Sequence, residues 1–197
     1  MSAGAQRERK PRADVQRNRA ALLETAQRHF LRHGVGTSLE AVAKEAGVGP
    51  GTLYRHFPTR EALLAAVLQT RSEELVARQA DIEQLGDPAE ALEQWLRAME
   101  EYFSAYSGLP EPLMAAARAH EPDSPLTIPC DILITATDQY VRAAQHAGHV
   151  RASVRGYDLF LAACSLAWIK GNGPDEDSLD RLRALIATGY RERHAQA

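Results

Sequence analysis

The stretch AGVGPGTLYRHF, residues 46–57, places three glycines and a proline in its first six positions and then continues into aromatic and basic residues. Gly47 suits the left-handed conformation just past the end of a helix, and Gly49 is an acceptable N-cap. Pro50 fits the first position of a new helix, where its missing N–H is no loss. The glycines therefore predict a tight turn between two short helices.

A glycine-rich stretch can also bind phosphate, so a P-loop is the alternative interpretation of these residues. A P-loop needs Lys and then Ser or Thr directly after its last glycine. In this chain Thr52 and Leu53 follow Gly51. The sequence therefore excludes a P-loop nucleotide site.

The residues before the turn have helical periodicity. Apolar residues recur at three- and four-residue steps over 15–33 and stop at Gly34, which predicts a first helix. Thr37 and Glu40 have the spacing of a capping box, in which Thr37 accepts from a backbone amide and Glu40 reaches back. They predict the start of a second helix, which Gly47 ends.

The third helix is predicted over residues 50–57. Leu53 and Phe57 lie four residues apart and are expected to face inward, against the first two helices. The opposite face and its flanks then carry Gly51, Thr52, Tyr54, Arg55 and His56. Such a face suits a surface that approaches another molecule closely and donates hydrogen bonds to it.

Helical periodicity continues through the rest of the chain, without any strand pattern. Further helices are predicted over residues 60–84, 130–146, 155–170 and 177–193. Another helix is predicted to follow Pro88, and a short one lies near 111–119. The sequence therefore predicts an all-α fold of about nine helices. Its divisions are a disordered basic arm over 1–14, a three-helix head over 15–58 and a helical body over 59–197.

Composition is typical of a soluble protein of 197 residues. Cys130 and Cys164 are the only cysteines, and they lack disulfide or metal-ligand spacing. The longest apolar run, residues 159–169, is shorter than the roughly 18 residues that a membrane helix needs. We therefore expect a cytoplasmic protein with no metal, no other cofactor and no membrane partner.

Charge is divided unequally along the chain. Residues 1–70 contain 11 Lys and Arg against 6 Asp and Glu, whereas the remainder contains 12 against 20. A basic first part on an acidic body is expected when only the first part contacts a polyanion. An ordinary surface with a chance division of charge is the alternative.

Two short helices joined by a glycine turn, with Arg and Tyr exposed on the second, have the pattern of a helix-turn-helix. The second helix of that motif enters the major groove of DNA. The sequence TSLEAVAKEAGVGPGTLYRHFPTREALLAAVL, residues 37–68, resembles the tetracycline-repressor (TetR) family of bacterial transcriptional regulators. The similarity begins near Leu22 and implies a helix-turn-helix head with a C-terminal domain for ligand binding and dimerisation.

The resemblance also implies which residues contact double-stranded DNA. The phosphate contacts are Thr37, Tyr54, His56 and Arg60, the base contacts are Thr52 and Arg55, and Lys44 and Gly51 complete the DNA-facing set. Arg55 suits O6 and N7 of guanine, with a phosphate contact as the alternative. Gly49 and Pro50 replace a serine and a polar or basic residue that are common in the family. Base reading is therefore expected to depend on Thr52 and Arg55.

The apolar stretch 159–169 predicts a helix that packs inward on one side and against a partner on another. As the resemblance implies, we expect a homodimer with a four-helix interface. Its expected residues are Leu159, Ala163, Leu166, Leu182, Leu185 and Ile186. A helix buried wholly within its own subunit is the alternative.

Helices four, five and seven are expected to direct an aromatic-rich set of side chains into a common interior. The set comprises Trp95, Met99, Tyr102, Phe103, Tyr106, Ile134, Thr137 and Tyr140. The resemblance implies that a cavity here binds a small-molecule inducer. Because no charged residue clearly points inward, an apolar or aromatic compound is favoured. Rings that simply fill the core are the alternative.

These features predict a DNA-binding transcriptional regulator. The leading interpretation is a repressor that binds a palindromic operator as a dimer and is released by its ligand. The alternative is a constitutive regulator or activator that senses no ligand. An enzyme is disfavoured because no Ser/His/Asp or Cys/His motif occurs.

Two further groups of basic residues have open interpretations. His29 and His33 have the i, i+4 spacing of zinc ligands, but no third ligand is evident, which favours a half-buried histidine. The four basic residues of the N-terminal arm suit a minor-groove contact or a solubilising tail equally well.

Overall fold

The computed structural model describes residues 5–173 and 175–192, with side chains described from residue 14 onward. The helices of this part are α1 (Ala5–His33), α2 (Leu39–Glu45), α3 (Pro50–His56), α4 (Arg60–Ile82), α5 (Pro88–Ser104), α6 (Pro110–Ala119), α7 (Thr127–His146), α8 (Gly156–Gly171) and α9 (Glu176–Tyr190). An isolated antiparallel bridge pairs Val150 with Arg191. The predicted all-α class is confirmed.

The first helix begins earlier than the apolar pattern indicates. Residues 5–14, expected to be disordered, form the first turns of α1. Ala, Gln, Arg, Glu and Lys dominate this segment and favour a helix, although Pro11 removes one backbone hydrogen bond. Residues 1–4 and the side chains of the basic arm lie outside the described part of the chain, so an arm contact with DNA remains a prediction.

The head is built from α1, α2 and α3 around one apolar core. Leu53 on α3 and Phe57 at its C-cap are 0% and 3% exposed, as their spacing predicts. Gly47 adopts a φ of +72°, in the left-handed region that glycine tolerates best. Gly49 is the N-cap of α3 and Pro50 is its first residue. The predicted glycine turn between two helices is therefore present.

The cap of α2 differs from the prediction. Ser38, not Thr37, is the N-cap, and its Oγ accepts from the backbone N–H of Ala41 at 3.2 Å. Glu40 Oε2 accepts from the Ser38 hydroxyl at 2.8 Å. The Thr37 hydroxyl is engaged elsewhere, because it lies 3.3 Å from Nδ1 of His29.

The body is arranged around α8, which packs against α5, α6, α7 and α9 of the same chain. Leu159, Ala163 and Leu166 are buried there, at 4%, 2% and 8% exposure. Four neighbouring helices thus cover much of α8, although Trp168 remains 43% exposed. These three residues are buried within the single chain, and their part in an interface between two copies stays a prediction.

Head and body are joined by hydrogen bonds to the loop between α1 and α2. The backbone N–H of Val35 donates to the carbonyl of Ser107 at 2.9 Å. Arg60 Nη1 donates to the carbonyls of Val35 and Thr37 at 2.7 and 2.6 Å. Gly34 has a φ of +75°, and a Cβ there would lie 2.7 Å from the Ser107 oxygen. The loop is therefore held from two sides by the body.

Candidate DNA-binding surface and ligand cavity

The outer face of α3 presents the side chains predicted to meet DNA. Arg55 and Gly51 are exposed, Tyr54 is 42% exposed, and Thr52 and His56 are half-buried. A Cβ at Gly51 would meet no atom within 4 Å. The backbone at this point is thus open to close approach, and hydrogen-bond donors surround it.

Glu40 is a residue of this surface that the sequence reasoning did not identify as functional. Tyr54 donates its hydroxyl hydrogen to Glu40 Oε1 at 3.0 Å. Hydrogen bonds from the backbone, from Ser38 and from Tyr54, in that order, lower the pKa of Glu40. Its position at the start of a helix is typical of a capping residue, whereas its contact with Tyr54 joins residues on two different helices. A carboxylate therefore lies beside the expected phosphate contacts and directs the tyrosine hydroxyl toward α2.

Two expected phosphate contacts have partners within the chain. Arg60 is half-buried and donates to the carbonyls of the α1–α2 loop. Thr37 is also half-buried and faces His29. Lys44, by contrast, is exposed on α2. The intramolecular roles are clear in the structure, and the contacts with DNA remain predictions.

His29 is buried rather than half-buried, at 7% exposure, and it connects α1 to α2. Its Nε2 lies 2.7 Å from Glu45 Oε2, and the guanidinium groups of Arg28 and Arg32 each lie 3.4 Å from Oε1. The hydrogen bond with His29 is the main cause of the lowered pKa of Glu45. The described residues include no group of three potential metal ligands. His29 thus connects α1 to α2 within the head through its contact with Glu45.

A cavity of about 530 Å³ lies between α4, α5 and α7, and we name it the α4 groove. One face of α4, from Ala62 to Gln79, forms its longest wall. Trp95 and Tyr102 of α5 line it, and α7 contributes residues from Ile128 onward. None of the described residues that line the groove is charged.

The aromatic set predicted to surround a ligand is divided by the structure. Only Trp95 and Tyr102 line the α4 groove. The members that do not line it are Met99, Phe103, Tyr106, Ile134, Thr137 and Tyr140. Thr137 is fully buried and accepts from Trp95 Nε1 at 2.9 Å, and the ring of Tyr140 stacks on that of Trp95 at 5.3 Å. Most of the set therefore packs in or against the core, and its contact with a ligand stays a prediction.

The last helix, α9, retains exposed apolar surface. Leu185 is 69% exposed, and Leu182 and Ile186 are half-buried. An ion pair between half-buried Arg183 and buried Glu100 connects α9 to α5, because Arg183 donates to the carboxylate of Glu100 at 2.5 and 2.9 Å. Leu185 thus faces outward on α9, whereas Ile186 packs partly against the core, and the expected interface stays a prediction.

The two thiols are not placed for chemistry. Cys130 and Cys164 are both buried, and burial raises the pKa of both, that of Cys130 to about 12. A nucleophilic cysteine needs the opposite shift. Within residues 5–173 and 175–192, no helix is long and apolar enough to cross a membrane.

Comparison with known proteins adds two family matches. Residues 22–67, which contain the helix-turn-helix, match the family described as "Bacterial regulatory proteins, tetR family". Residues 87–192, which contain α5 to α9, match the description "Transcriptional regulator SbtR-like, C-terminal domain". The two matches cover the head and the body separately.

Curated relatives are similar over part of their length. The chain is 35% identical over 105 residues to the HTH-type transcriptional regulator LmrA of Bacillus subtilis (strain 168), covering 50% of this chain and 56% of LmrA. It is 35% identical over 66 residues to UidR of Escherichia coli (strain K12), covering 33% and 34% of the two proteins. The chain thus matches about half or less of the length of these relatives.

A solved structure extends the similarity to the whole fold. The TetR transcriptional regulator SCO0520 from Streptomyces coelicolor is 33% identical, with a TM-score of 0.57, over 89% of this chain and 99% of that chain. The match to the C-terminal domain alone covers more than half of this chain. With a helix-turn-helix head and a body that both match, this chain belongs to the TetR family of DNA-binding transcriptional regulators and not to a family of enzymes.

Proposed function

We propose that this chain is a homodimeric repressor that binds a palindromic operator and leaves it when a small uncharged ligand enters the α4 groove. The observation that carries the proposal is the continuity of α4. This helix lines the groove from Ala62 onward, and its first residue, Arg60, holds the α1–α2 loop of the head.

Operator reading is assigned to the outer face of α3. Arg55 is exposed there, and its guanidinium suits O6 and N7 of a guanine. Thr52, one turn earlier, is the second base-reading residue. Two heads in a dimer would meet half-sites whose centres lie about 34 to 36 Å apart, or a multiple of that distance.

Ligand response is assigned to the two helices that connect groove and head. Tyr102 lines the groove and donates its hydroxyl hydrogen to the carbonyl of Leu68 on α4 at 3.2 Å. Shortly after α5, the carbonyl of Ser107 accepts from Val35 of the head. A ligand that changes the spacing of α4 and α5 would therefore move both attachments of the α1–α2 loop. To release DNA, it must bind more tightly to the state whose heads do not fit the operator.

Dimerisation is assigned to the outward face of α9. Exposed Leu185 and half-buried Leu182 form an apolar surface that can meet its own copy across a two-fold axis, with Ile186 at the border between this surface and the core.

The proposal is tested by selecting duplexes from a randomised DNA library and measuring their affinity by fluorescence anisotropy. We expect a palindrome, bound by a dimer, with affinity that falls steeply with salt. Neutral lipophilic compounds should release it, whereas Ala66→Trp, which fills the groove, should keep operator binding and lose the response. A selected site without two-fold symmetry would contradict the dimeric repressor. Operator binding that no such compound weakens would support the constitutive alternative.

A further inference from the structure

A carboxylate lies among the predicted phosphate contacts of the head. Glu40 is exposed in the first turn of α2, and its Oε1 accepts the hydroxyl hydrogen of Tyr54 at 3.0 Å. Its Oε2 accepts a hydrogen bond at 2.8 Å from Ser38, which follows Thr37 in the chain. Because DNA is a polyanion, a negative charge at this position opposes binding.

The charge of Glu40 is not neutralised by an ion pair. Hydrogen bonds from its own backbone N–H, from Ser38 and from Tyr54, in that order, lower its pKa, so the carboxylate is ionised at neutral pH. Arg60 lowers this pKa further through its charge alone. Glu45, at the other end of α2, instead lies 3.4 Å from each of two guanidinium groups. Of the two carboxylates of α2, only Glu40 thus lacks an ion-pair partner among the described side chains.

The hydroxyl group of Tyr54 can donate to one acceptor at a time. A phenol carries a single hydrogen, whereas an ionised carboxylate and a DNA phosphate only accept. The hydrogen bond with Glu40 is the main cause of the raised pKa of Tyr54, so the phenol keeps its hydrogen and gives it to Glu40. A phosphate contact through this hydroxyl therefore has to replace the bond with Glu40.

The same contact brings two negative charges close together. A hydroxyl group bonds to an oxygen acceptor at about 2.7 Å. Because the Tyr54 hydroxyl oxygen lies 3.0 Å from Glu40 Oε1, a phosphate oxygen bonded to Tyr54 lies at most about 6 Å from the carboxylate. This separation is shorter than the screening length at physiological salt, which is about 8 Å. Glu40 therefore repels every phosphate that the Tyr54 hydroxyl can bind.

We propose that Glu40 limits the affinity of the head for DNA, because it competes with phosphate for the hydroxyl hydrogen of Tyr54 and repels that phosphate. Phosphates occur in every sequence, so Glu40 lowers the affinity for all duplexes alike and leaves the base preference to Thr52 and Arg55. A lower absolute affinity suits a regulator that has to leave its operator. This use rests on the proposed function, whereas the effect of Glu40 on affinity does not depend on a ligand.

Substitution of Glu40 distinguishes this role from a purely structural role at the start of α2. Loss of a structural contact would disturb α2 and weaken DNA binding, whereas loss of a competitor should strengthen it. We expect Glu40→Ala to bind about tenfold more tightly than the wild type at about 50 mM salt, by fluorescence anisotropy. The gain should be the same for a duplex selected from a randomised library and for a duplex of scrambled sequence. At about 300 mM salt it should shrink, because salt screens the repulsion.

Two further variants accompany this measurement. Glu40→Gln removes the charge and keeps an oxygen acceptor, so it should give a smaller gain than Glu40→Ala. Glu90→Ala is the matched control, because Glu90 is likewise exposed in the first turn of its helix, α5, but belongs to the body. It should leave both affinities unchanged.

A double-mutant cycle isolates the competition for the hydrogen. In the Tyr54→Phe background no hydroxyl is present, so Glu40→Ala can relieve only the repulsion. We expect its gain in affinity to fall from about tenfold to about threefold in this background. An equal gain in the two backgrounds would show that Tyr54 does not share its hydrogen between Glu40 and phosphate, and it would overturn the proposal.

The proposal is also overturned if neither Glu40 variant binds DNA more tightly than the wild type, or if the gain appears on one sequence alone. Urea denaturation shows whether each variant is folded, and Glu40→Gln at the two salt concentrations decides if Glu40→Ala is not. Failure to select a palindrome, or to release it with a ligand, contradicts the proposed function and leaves the gain on the scrambled duplex as a test of Glu40. If no variant binds either duplex, both proposals are wrong.

Discussion

Tyr54 and Arg55 are neighbours on α3 with different surroundings. The Tyr54 hydroxyl is bonded to Glu40, which fixes its direction relative to α2. Arg55 is exposed and has no bonded partner among the described residues. Because Glu40 already orients Tyr54, Tyr54 suits a phosphate contact, which is the same on every DNA sequence. A free guanidinium can instead adapt to the base edge it meets.

This difference predicts separate effects of two substitutions on operator binding. Arg55→Ala should cost about 1 to 3 kcal/mol on the preferred site and relax the preference at one base position. Tyr54→Phe should weaken binding to all sequences alike. Both are measured by selection from a randomised library followed by anisotropy. An even loss of affinity across the library for Arg55→Ala would show that Arg55 contacts phosphate.

The carboxylate of Glu45 should make the stability of the head depend on pH. Its hydrogen bond with His29 lowers its pKa below the ordinary value of 4.5. A lowered pKa in the folded state means that the ionised carboxylate stabilises the head above that value. The stabilisation is lost as pH falls through the folded-state pKa.

The substitution Glu45→Gln should therefore destabilise the chain at neutral pH, and the difference from the wild type should shrink as pH falls below 4.5. Urea denaturation over this pH range measures the effect. Glu73→Gln is the control, because Glu73 is exposed on α4 and has no described partner. A pH-independent difference for Glu45→Gln would show that the effect is steric and not ionic.

Among the helices, α9 depends most visibly on one ion pair. Glu100 on α5 is 4% exposed and accepts two hydrogen bonds from Arg183. These bonds are the main cause of the raised pKa of Arg183. Arg183 also contacts Glu176 and Asp180, whose side chains are 65% and 67% exposed. Only the contact with Glu100 is shielded from water, so it should dominate the attachment of α9.

Glu100→Gln should accordingly lower the free energy of unfolding by about 1 to 3 kcal/mol, because it weakens a charge-assisted hydrogen bond in a buried site. Asp180→Asn breaks an exposed pair with the same arginine and should cost less than about 0.5 kcal/mol. The urea midpoints of the two variants measure these two losses of stability. Equal losses would show that burial does not strengthen the contact with Glu100.

The same helices show what sequence patterns can and cannot predict. The turn at Gly47, Gly49 and Pro50 follows from local backbone rules, so it was predictable in detail. The pattern predicts Thr37 as the α2 cap, but the hydroxyl of Thr37 lies beside His29 of α1, a contact that the local pattern does not encode, and Ser38 is the cap. Periodicity identifies a buried face, but it does not distinguish Trp95, which lines a groove, from Phe103 in the core. That distinction depends on how α4 and α7 are spaced, which no local pattern encodes.

At the scale of the whole molecule, assembly depends on α9. Leu185→Glu should convert the proposed dimer into a monomer at micromolar concentration, because it places a charge in the centre of an apolar interface. The residue is 69% exposed in the single chain, so the fold itself should be little affected. Sedimentation equilibrium measures the change. Ile132→Glu, on an exposed residue of α7, is the control, and a dimer that survives Leu185→Glu would place the interface elsewhere.

The hydrogen bonds at Val35 have a consequence for recombining this chain with its relatives. A crossover after Pro58 would follow the boundary of the helix-turn-helix, but it would leave Arg60 and Ser107 facing the α1–α2 loop of another protein. The grafted head would then lack its two supports. Chimeras that keep residues 34–37 of this chain with its body should transmit ligand binding to the new operator, whereas those that replace them should bind DNA without responding. The ligand response of a chimera is thus expected to depend on four residues outside the predicted base contacts.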